Sequence, residues 1–375
     1  MFPFHRVPAG EPPDMPQYPS MKKAFALLLL TAFATALCAQ KRLVLVDQDA
    51  SGPGGSDQMA ILALLQAPNV EVLGITVVTG DAWRDEETLH TLRMLELTGH
   101  TDVPVARGAV FPLVRNQEET RIEEALVGKS AWLGAWGQAH AMGSNFVPHG
   151  PYEIPPLPEG QPTIKAIDED AAHFLVRQVR AHPHQVTIYA AGPLTNIALA
   201  LSIDPEFASL TQGIVFMGGS LRPLTSDPEY AADARHEFNL WFDPEAAHIV
   251  LRAAWPRIDA TTDDVSVKAP FTQEMYDAIA KSSSPAARYI AAWSQHRTDM
   301  WDELTACAWL DPAIITKEAD LYMDVDLSHG PSYGDTLTWP EAQKPLTGVR
   351  LVHAQLDLDL PRFQKEFIEL MTRTP

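Results

Sequence analysis

The stretch LVDQDASGPGGSDQMAILALL, residues 45–65, decides how the chain is read. Its first residues close a β-branched run, 42–46, of the kind that fills a buried strand. Asp47 and Asp49 stand at the end of that run, a glycine-rich turn follows, and Asp57 opens an apolar run over 56–67 with the length of a helix. In parallel sheets, ligands gather outside the carboxyl ends of the strands, so acids at this lip are candidates for chemistry. The turn GPGGSDQ is neither GxGxxG nor a P-loop, because no Gly-Lys-Ser/Thr follows. Its glycines let the backbone turn sharply or approach a neighbour closely, and the flanking acids disfavour a phosphate.

The same alternation continues. Strand-like runs at 71–80, 103–108, 185–192, 213–219 and 257–262 are interleaved with helix-like runs at 85–99, 170–183, 194–203 and 243–254. This predicts an α/β fold, a largely parallel Rossmann-like sheet flanked by helices. Beyond residue 270 the pattern changes. Two or three helices over 272–310 predict a helical cap, and runs at 321–328, 334–339 and 349–358 predict added antiparallel strands before a last helix. Residues 109–165 are rich in Pro, Gly and Trp with poor periodicity and are expected as long loops. With no repeat and no linker, residues 40–375 are expected to form a single domain.

A chain of 375 residues, 46% hydrophobic, can bury a substantial core. Acidic residues outnumber basic ones, 48 to 28, for a net charge of -20. That balance argues against nucleic acid or an anionic membrane as partner, since both are gripped by clustered Lys and Arg. MKKAFALLLLTAFATALCAQ, from Met21, has a basic start, an apolar run too short to span a bilayer, and small residues at its end. It is expected to be a secretory signal cleaved after Ala39, which makes residues 1–39 an upstream segment and leader. The mature protein is then exported, periplasmic or secreted, with no stable membrane insertion. Cys38 would leave with the leader, so Cys307 alone remains and no intrachain disulfide can form.

The residues just past each strand are Asp47, Asp49 and Asp57, then Asp81, then Ala191, then Met217, then Asp263 and Asp264. Acids at several lips suggest a hard cation with oxygen ligands, Ca²⁺ or Mg²⁺. One such acid is more often a helix cap or turn former, so the clustering carries the argument. A DxD strand end also opens the Mg²⁺-dependent haloacid-dehalogenase-like phosphatases. Their motif continues to Thr or Val where this chain has Ser51, and no Lys follows a matching strand, so that reading ranks second among enzymes.

Six motifs in order carry a more specific likeness: VDQDASGPGGSDQMAILALL, GITVVTGDAWRDE (74–86), AAGPLTNIALAL (190–201), VFMGGS (215–220), EFNLWFDPEAAHIV (237–250) and WDELTACAWLDP (301–312). From about residue 41 onward the chain resembles the inosine-uridine preferring nucleoside hydrolases. The resemblance implies hydrolysis of the N-glycosidic bond of a ribonucleoside, a purine one above all, to free base and ribose. It implies Ca²⁺ held by Asp49, Asp57, Asp302 and the backbone carbonyl of Ala191, with Asp49 as general base. Glu237 and Asn239 would hold ribose hydroxyls, Met217 would pack beside the sugar, and Asp81 would make a further ribose contact. A homo-oligomer is implied as well.

The chain also departs from that pattern. Ser56 stands where the family has the first of two aspartates, after a longer loop. Ser56 can still hydrogen-bond a hydroxyl but brings no charge, and Asp47 would compensate if the loop turned it inward. Trp301 stands where many members carry a histidine that protonates the leaving base. Tryptophan stacks instead, with Trp132 or Trp136 as a second face unless they pack in the core. Asp233 and Arg235 fall in a loop where the family has ribose-contacting residues. Two other outcomes on the same fold are a hydrolase of another ribosyl compound and a periplasmic nucleoside- or sugar-binding pseudoenzyme.

Overall fold

Alternate residues of the first strand face opposite sides, and both sides are covered. Val44 and Val46 enter one apolar cluster while Leu45 enters the other, each fully buried. The computed structural model describes residues 41–130, 132–137, 149–226, 233–294 and 298–374, together with Pro3. The leader expected over 1–39 otherwise lies outside the described residues. Residues Lys41–Pro375 form one compact unit.

The elements in chain order are β1 (Arg42–Gln48), α1 (Ser56–Gln66), β2 (Val70–Val77), α2 (Arg84–Thr98), β3 (Val105–Arg107), α3 (Gln117–Val127), α4 (Ala171–Ala181), β4 (Val186–Ala191) and α5 (Thr195–Ile203). There follow β5 (Gly213–Met217), α6 (Phe238–Phe242), α7 (Pro244–Arg252), β6 (Ile258–Thr261), α8 (Asp263–Ser266), α9 (Gln273–Ile279), α10 (Pro285–Trp293) and α11 (Trp301–Leu310). The chain closes with β7 (Ile315–Val325), β8 (Thr336–Trp339), β9 (Arg350–Leu358) and α12 (Leu360–Thr372).

The nine strands form one sheet in the order β3-β2-β1-β4-β5-β6-β9-β7-β8. Pairings from β3 through to β9 are parallel, and β7 runs antiparallel to both β9 and β8. The sheet is thus mixed and mostly parallel, as the alternation required. β1 lies between β2 and β4, so the strand order reverses there, and the crevice outside the carboxyl ends of β1 and β4 is where such sheets bind ligands. α1, α11 and α12 pack together on one face, while α4, α5 and α7 line the other. Among the described residues no helix is long and apolar enough to cross a membrane.

Three local features differ from the sequence expectation. β9 joins the parallel array beside β6, so the last strand-like run is not simply part of an antiparallel addition. The stretch expected as loops contains α3, whose N-cap Asn116 accepts the Glu119 amide. Ile122 and Leu126 on that helix are exposed, so its apolar residues mark no core-facing stripe in the sequence. EFNLWFD contains a short helix, α6, because Glu237 caps it immediately before the helix capped by Asp243.

Candidate active site

The end of β1 delivers three polar residues with three destinations. Asp47 points into the sheet interior, where Thr76 Oγ1 (2.5 Å) and Asn196 Nδ2 (2.8 Å) donate to its Oδ1. It is fully buried, and its Oδ1 is engaged by these two donors. Gln48 donates from Nε2 to Asp302 Oδ2 at 2.7 Å, across 254 residues of chain. Asp49 lies at the crevice. The Asp81 amide donates to its Oδ2 at 3.0 Å.

Two glycines make room for the Asp49 carboxylate. A Cβ at Gly80 would lie 2.0 Å from its Oδ2, and one at Gly192 would lie 2.7 Å from its Oδ1. These glycines follow β2 and β4, the neighbours of β1, so the narrow slot exists because three strand ends meet there. The glycine-rich turn makes its close approach to protein. Gly54 has φ of +74°, and a Cβ there would sit 2.7 Å from the Ser294 nitrogen. Its amide donates to Gln58 Oε1 (3.0 Å) and to the Tyr289 hydroxyl (3.1 Å), pinning the loop to α10.

Asp57 and Ser56 open α1, and Trp301, Asp302 and Glu303 open α11, so two helix starts face the crevice. Asp57 accepts the Ser51 hydroxyl at 3.2 Å and is hydrogen-bonded to Asp302. Burial, followed by the neighbouring acids, raises Asp49 and Asp57 well above the ordinary carboxylate range. Asp81, Asp57, Glu87 and Asp302 all act on Asp49. Burial pushes Asp302 up to about 7 and Asp81 up to about 8. Asp49, Asp57 and Asp302, far apart in sequence, therefore share one electrostatic environment. Ala191 is the register partner of Gln48, which sets its backbone beside them.

The other candidates ring this cluster. Trp132 Nε1 donates to Asp81 Oδ1 at 2.7 Å, joining the tryptophan to the site's acidic wall. Trp136 does not join it. Its ring stacks on Phe242 at 4.3 Å inside an aromatic cluster with Trp241, the core-packing outcome. Trp301 is half-buried at the head of α11, and its Nε1 has no partner among the described residues. Glu237 caps α6, accepting the amides of Asn239 (2.8 Å), Leu240 (3.0 Å) and Gly219 (3.1 Å). Asn239 Nδ2 bonds back to the carbonyl (3.3 Å) and Sδ (3.5 Å) of Met217. Glu237 also acts on Asp81, which brings this wall within electrostatic range of the acid cluster. Arg235 is bound to Asp335 at 2.9 Å, and Asp264 accepts the amides of Leu221 and Arg222, holding the loop after β5.

Sequence reasoning missed Glu87 and Glu303 and gave Gln48 no role. Glu87 sits in a run that reads as a solvated helix start, yet it is fully buried and accepts the Ala82 amide at 2.7 Å. Glu303 accepts the Ser56 hydroxyl at 2.5 Å. Only the tertiary neighbours of these side chains distinguish them from surface acids.

The donor set suits a hard cation. Asp49, Asp57 and Asp302 offer only oxygen, Gln48 Oε1 is buried without a partner, and no Lys or Arg forms an ion pair with these acids among the described residues. Several buried carboxylates without countercharge are costly, and a divalent ion relieves that cost. Among the described residues no group of three or more Asp, Glu, His or Cys side chains is arranged to hold a metal ion. The acids are instead hydrogen-bonded to Gln48, Ser51 and one another.

Comparison with known proteins agrees with the motif reading. The family model described as inosine-uridine preferring nucleoside hydrolase matches residues 44–365. A probable uridine nucleosidase 1 of Oryza sativa subsp. japonica is 32% identical over 256 residues, 68% of this chain and 69% of that protein. The pyrimidine-specific ribonucleoside hydrolase RihA of Citrobacter koseri is 32% identical over 277 residues, 72% of this chain and 77% of that protein. A solved purine-preferring ribonucleoside hydrolase from Gardnerella vaginalis superposes with a TM-score of 0.69 at 23% identity, covering 88% of this chain and 98% of that one, a likeness of fold. The chain belongs to the inosine-uridine preferring nucleoside hydrolase family and is a nucleoside N-ribohydrolase.

Proposed function

We propose that this protein is an exported, calcium-dependent hydrolase of ribonucleosides, that it favours purine nucleosides, and that it works as a homo-oligomer. The observation that carries the chemistry is the convergence of Asp49, Asp57 and Asp302 at the reversal of strand order, with Asp49 held in a slot between two glycines. Asp49, Asp57, Asp302 and the Ala191 carbonyl would hold the ion. Calcium bound there would supply the positive charge that acidifies water and polarises vicinal hydroxyls.

The chain's own residues do the rest. Asp49, buried and fixed by the Asp81 amide, takes the proton of the attacking water. The water adds to the anomeric carbon as the glycosidic bond opens through an oxocarbenium-like state; the bonding pair leaves on the base nitrogen, which takes its proton from solvent. Met217 and Asn239, tied to each other, form the sugar's apolar and polar wall. Glu237 holds that wall in place through three backbone amides. Trp301 offers a ring to the base, with Trp132, bonded to Asp81, as the candidate second face, and stacking of this kind contributes roughly 1–3 kcal/mol per base. Trp301, partly exposed at the head of α11 and packed against the core on its other side, supports a stacking role toward the base. The relatives named for uridine or pyrimidine substrates support a pyrimidine preference instead.

A panel of inosine, adenosine, guanosine, uridine and cytidine, assayed for released reducing sugar with and without EDTA, tests both levels. Turnover that survives complete chelation rejects the calcium requirement, and kcat/KM higher for uridine than for inosine rejects the purine preference. Export is tested by the N-terminal sequence of the secreted protein, expected to begin at Gln40.

A further inference from the structure

The two helix starts that face the crevice are joined by one polar contact outside the three acids. Ser56 Oγ, in the first turn of α1, donates to Glu303 Oε2 at 2.5 Å. The same oxygen accepts the Asp302 amide at 3.4 Å. The Ser56 proton is thereby committed to Glu303, which leaves the hydroxyl oxygen to act as an acceptor.

Glu303 is fully buried, and its Oε1 has no hydrogen-bond partner among the described residues. No Lys, Arg or His forms an ion pair with it among those residues. Burial raises Glu303 to about 8, so its ionised form is expensive unless a positive charge stands nearby. Asp57 lies within its electrostatic range, and Asp302 precedes it in the chain, so Glu303 borders the acids assigned above to the cation.

We propose that Glu303 is a positioning residue that supplies, through Ser56, the negative charge which the cation-and-ribose end of the site lacks at position 56. Its carboxylate orients the Ser56 hydroxyl and adds a fourth acid to Asp49, Asp57 and Asp302. This inference rests on the calcium reading above. It also makes the site particular to this chain, because an aspartate at position 56 would put a carboxylate where the serine hydroxyl now meets Glu303.

That geometry gives a charge-relocation test with calcium affinity, measured by titration calorimetry on the purified full chain, as the readout. Glu303→Gln keeps the shape and an oxygen for the Ser56 hydroxyl but removes the charge. It is expected to raise the calcium Kd by about tenfold or more, as loss of a close charge in a partly desolvated site would. Adding Ser56→Asp to Glu303→Gln moves the charge to α1 and is expected to bring the Kd back to within about threefold of wild type. Circular dichroism melting of each variant checks folding. A Glu303→Gln chain that binds calcium as wild type overturns the proposal. So does a double variant no better than Glu303→Gln, because a structural role for Glu303 would not be rescued by a charge at position 56. If wild type itself binds no calcium, the ion reading fails first and this inference falls with it.

Discussion

Replacing Gly80 by alanine tests the slot that holds Asp49. The added Cβ would lie 2.0 Å from Asp49 Oδ2 and 2.7 Å from its Cβ and Cγ. Real Cβ contacts stay beyond 3.0 Å, so the carboxylate must retreat from 2.0 to at least 3.0 Å, about 1 Å. It has no free side to retreat to. Gly192 backs its other face, where a Cβ would already be 2.7 Å from Oδ1, and the Asp81 amide holds Oδ2 at 3.0 Å. A misplacement of about 1 Å at a reacting group costs roughly 100-fold in rate, about 2.7 kcal/mol of barrier. Overpacking costs a further ~1–3 kcal/mol of fold stability, less than the ~5–15 kcal/mol typical of a native protein. The assay is kcat/KM for the best nucleoside of the panel, with calcium saturating and folding verified by thermal melting. Gly99→Ala is the control: its φ is +84° and nothing lies within 4 Å, so it strains the backbone away from the site. The control should lose about 1–2 kcal/mol of stability and keep its rate. A Gly80→Ala enzyme within threefold of wild type would refute the argument that Asp49 is fixed by close packing.

Four further outcomes are expected. Asp49→Asn should lower kcat by roughly 10²–10⁴-fold at unchanged melting temperature, and near-normal turnover would remove Asp49 as the base. Trp301→Ala should cost about 1–3 kcal/mol in kcat/KM for purine nucleosides and less for uridine; equal losses would dismiss the stacking role. Calcium at about 100 times its Kd should stabilise the fold by about 2.7 kcal/mol relative to the EDTA-treated chain, and identical melting curves in the two states would count against a structural ion. At His90, burial lowers the pKa, but hydrogen bonds that the imidazole donates to Glu159 and Glu86 outweigh it and raise it overall. The folded imidazolium is therefore favoured, its contribution is full below pH ~6.5, and it is lost as pH rises through the raised value. The stability gap between wild type and Glu159→Gln should accordingly shrink from pH 6 to pH 9; a gap that widens contradicts the assignment.

Local sequence was enough wherever an element is defined by its own period. β1, β4 and the helix runs at 56–67 and 85–99 agree with the structure to within one or two residues, because strands buried on both faces are continuously apolar and α2 ends on a left-handed glycine. The acids at strand ends were equally legible, since a parallel sheet brings its carboxyl ends to one edge. The fate of each acid was not. Asp47 and Asp49 are two residues apart and face the same way by strand period, yet Thr76 and Asn196 claim one while Gly80 and Gly192 frame the other.

The sequence by itself determined the α/β alternation, the family motifs and the set of acids from which the site is drawn. Apolar period and strand-end composition are properties of neighbouring residues, and they survive in a one-dimensional string. The tertiary structure decided that Trp136 belongs to the core, that β9 joins the parallel array, and that Gln48 and Glu303 bond to Asp302 and Ser56. Those outcomes depend on contacts between segments up to 254 residues apart, where burial alone turns an ordinary polar side chain into part of a site.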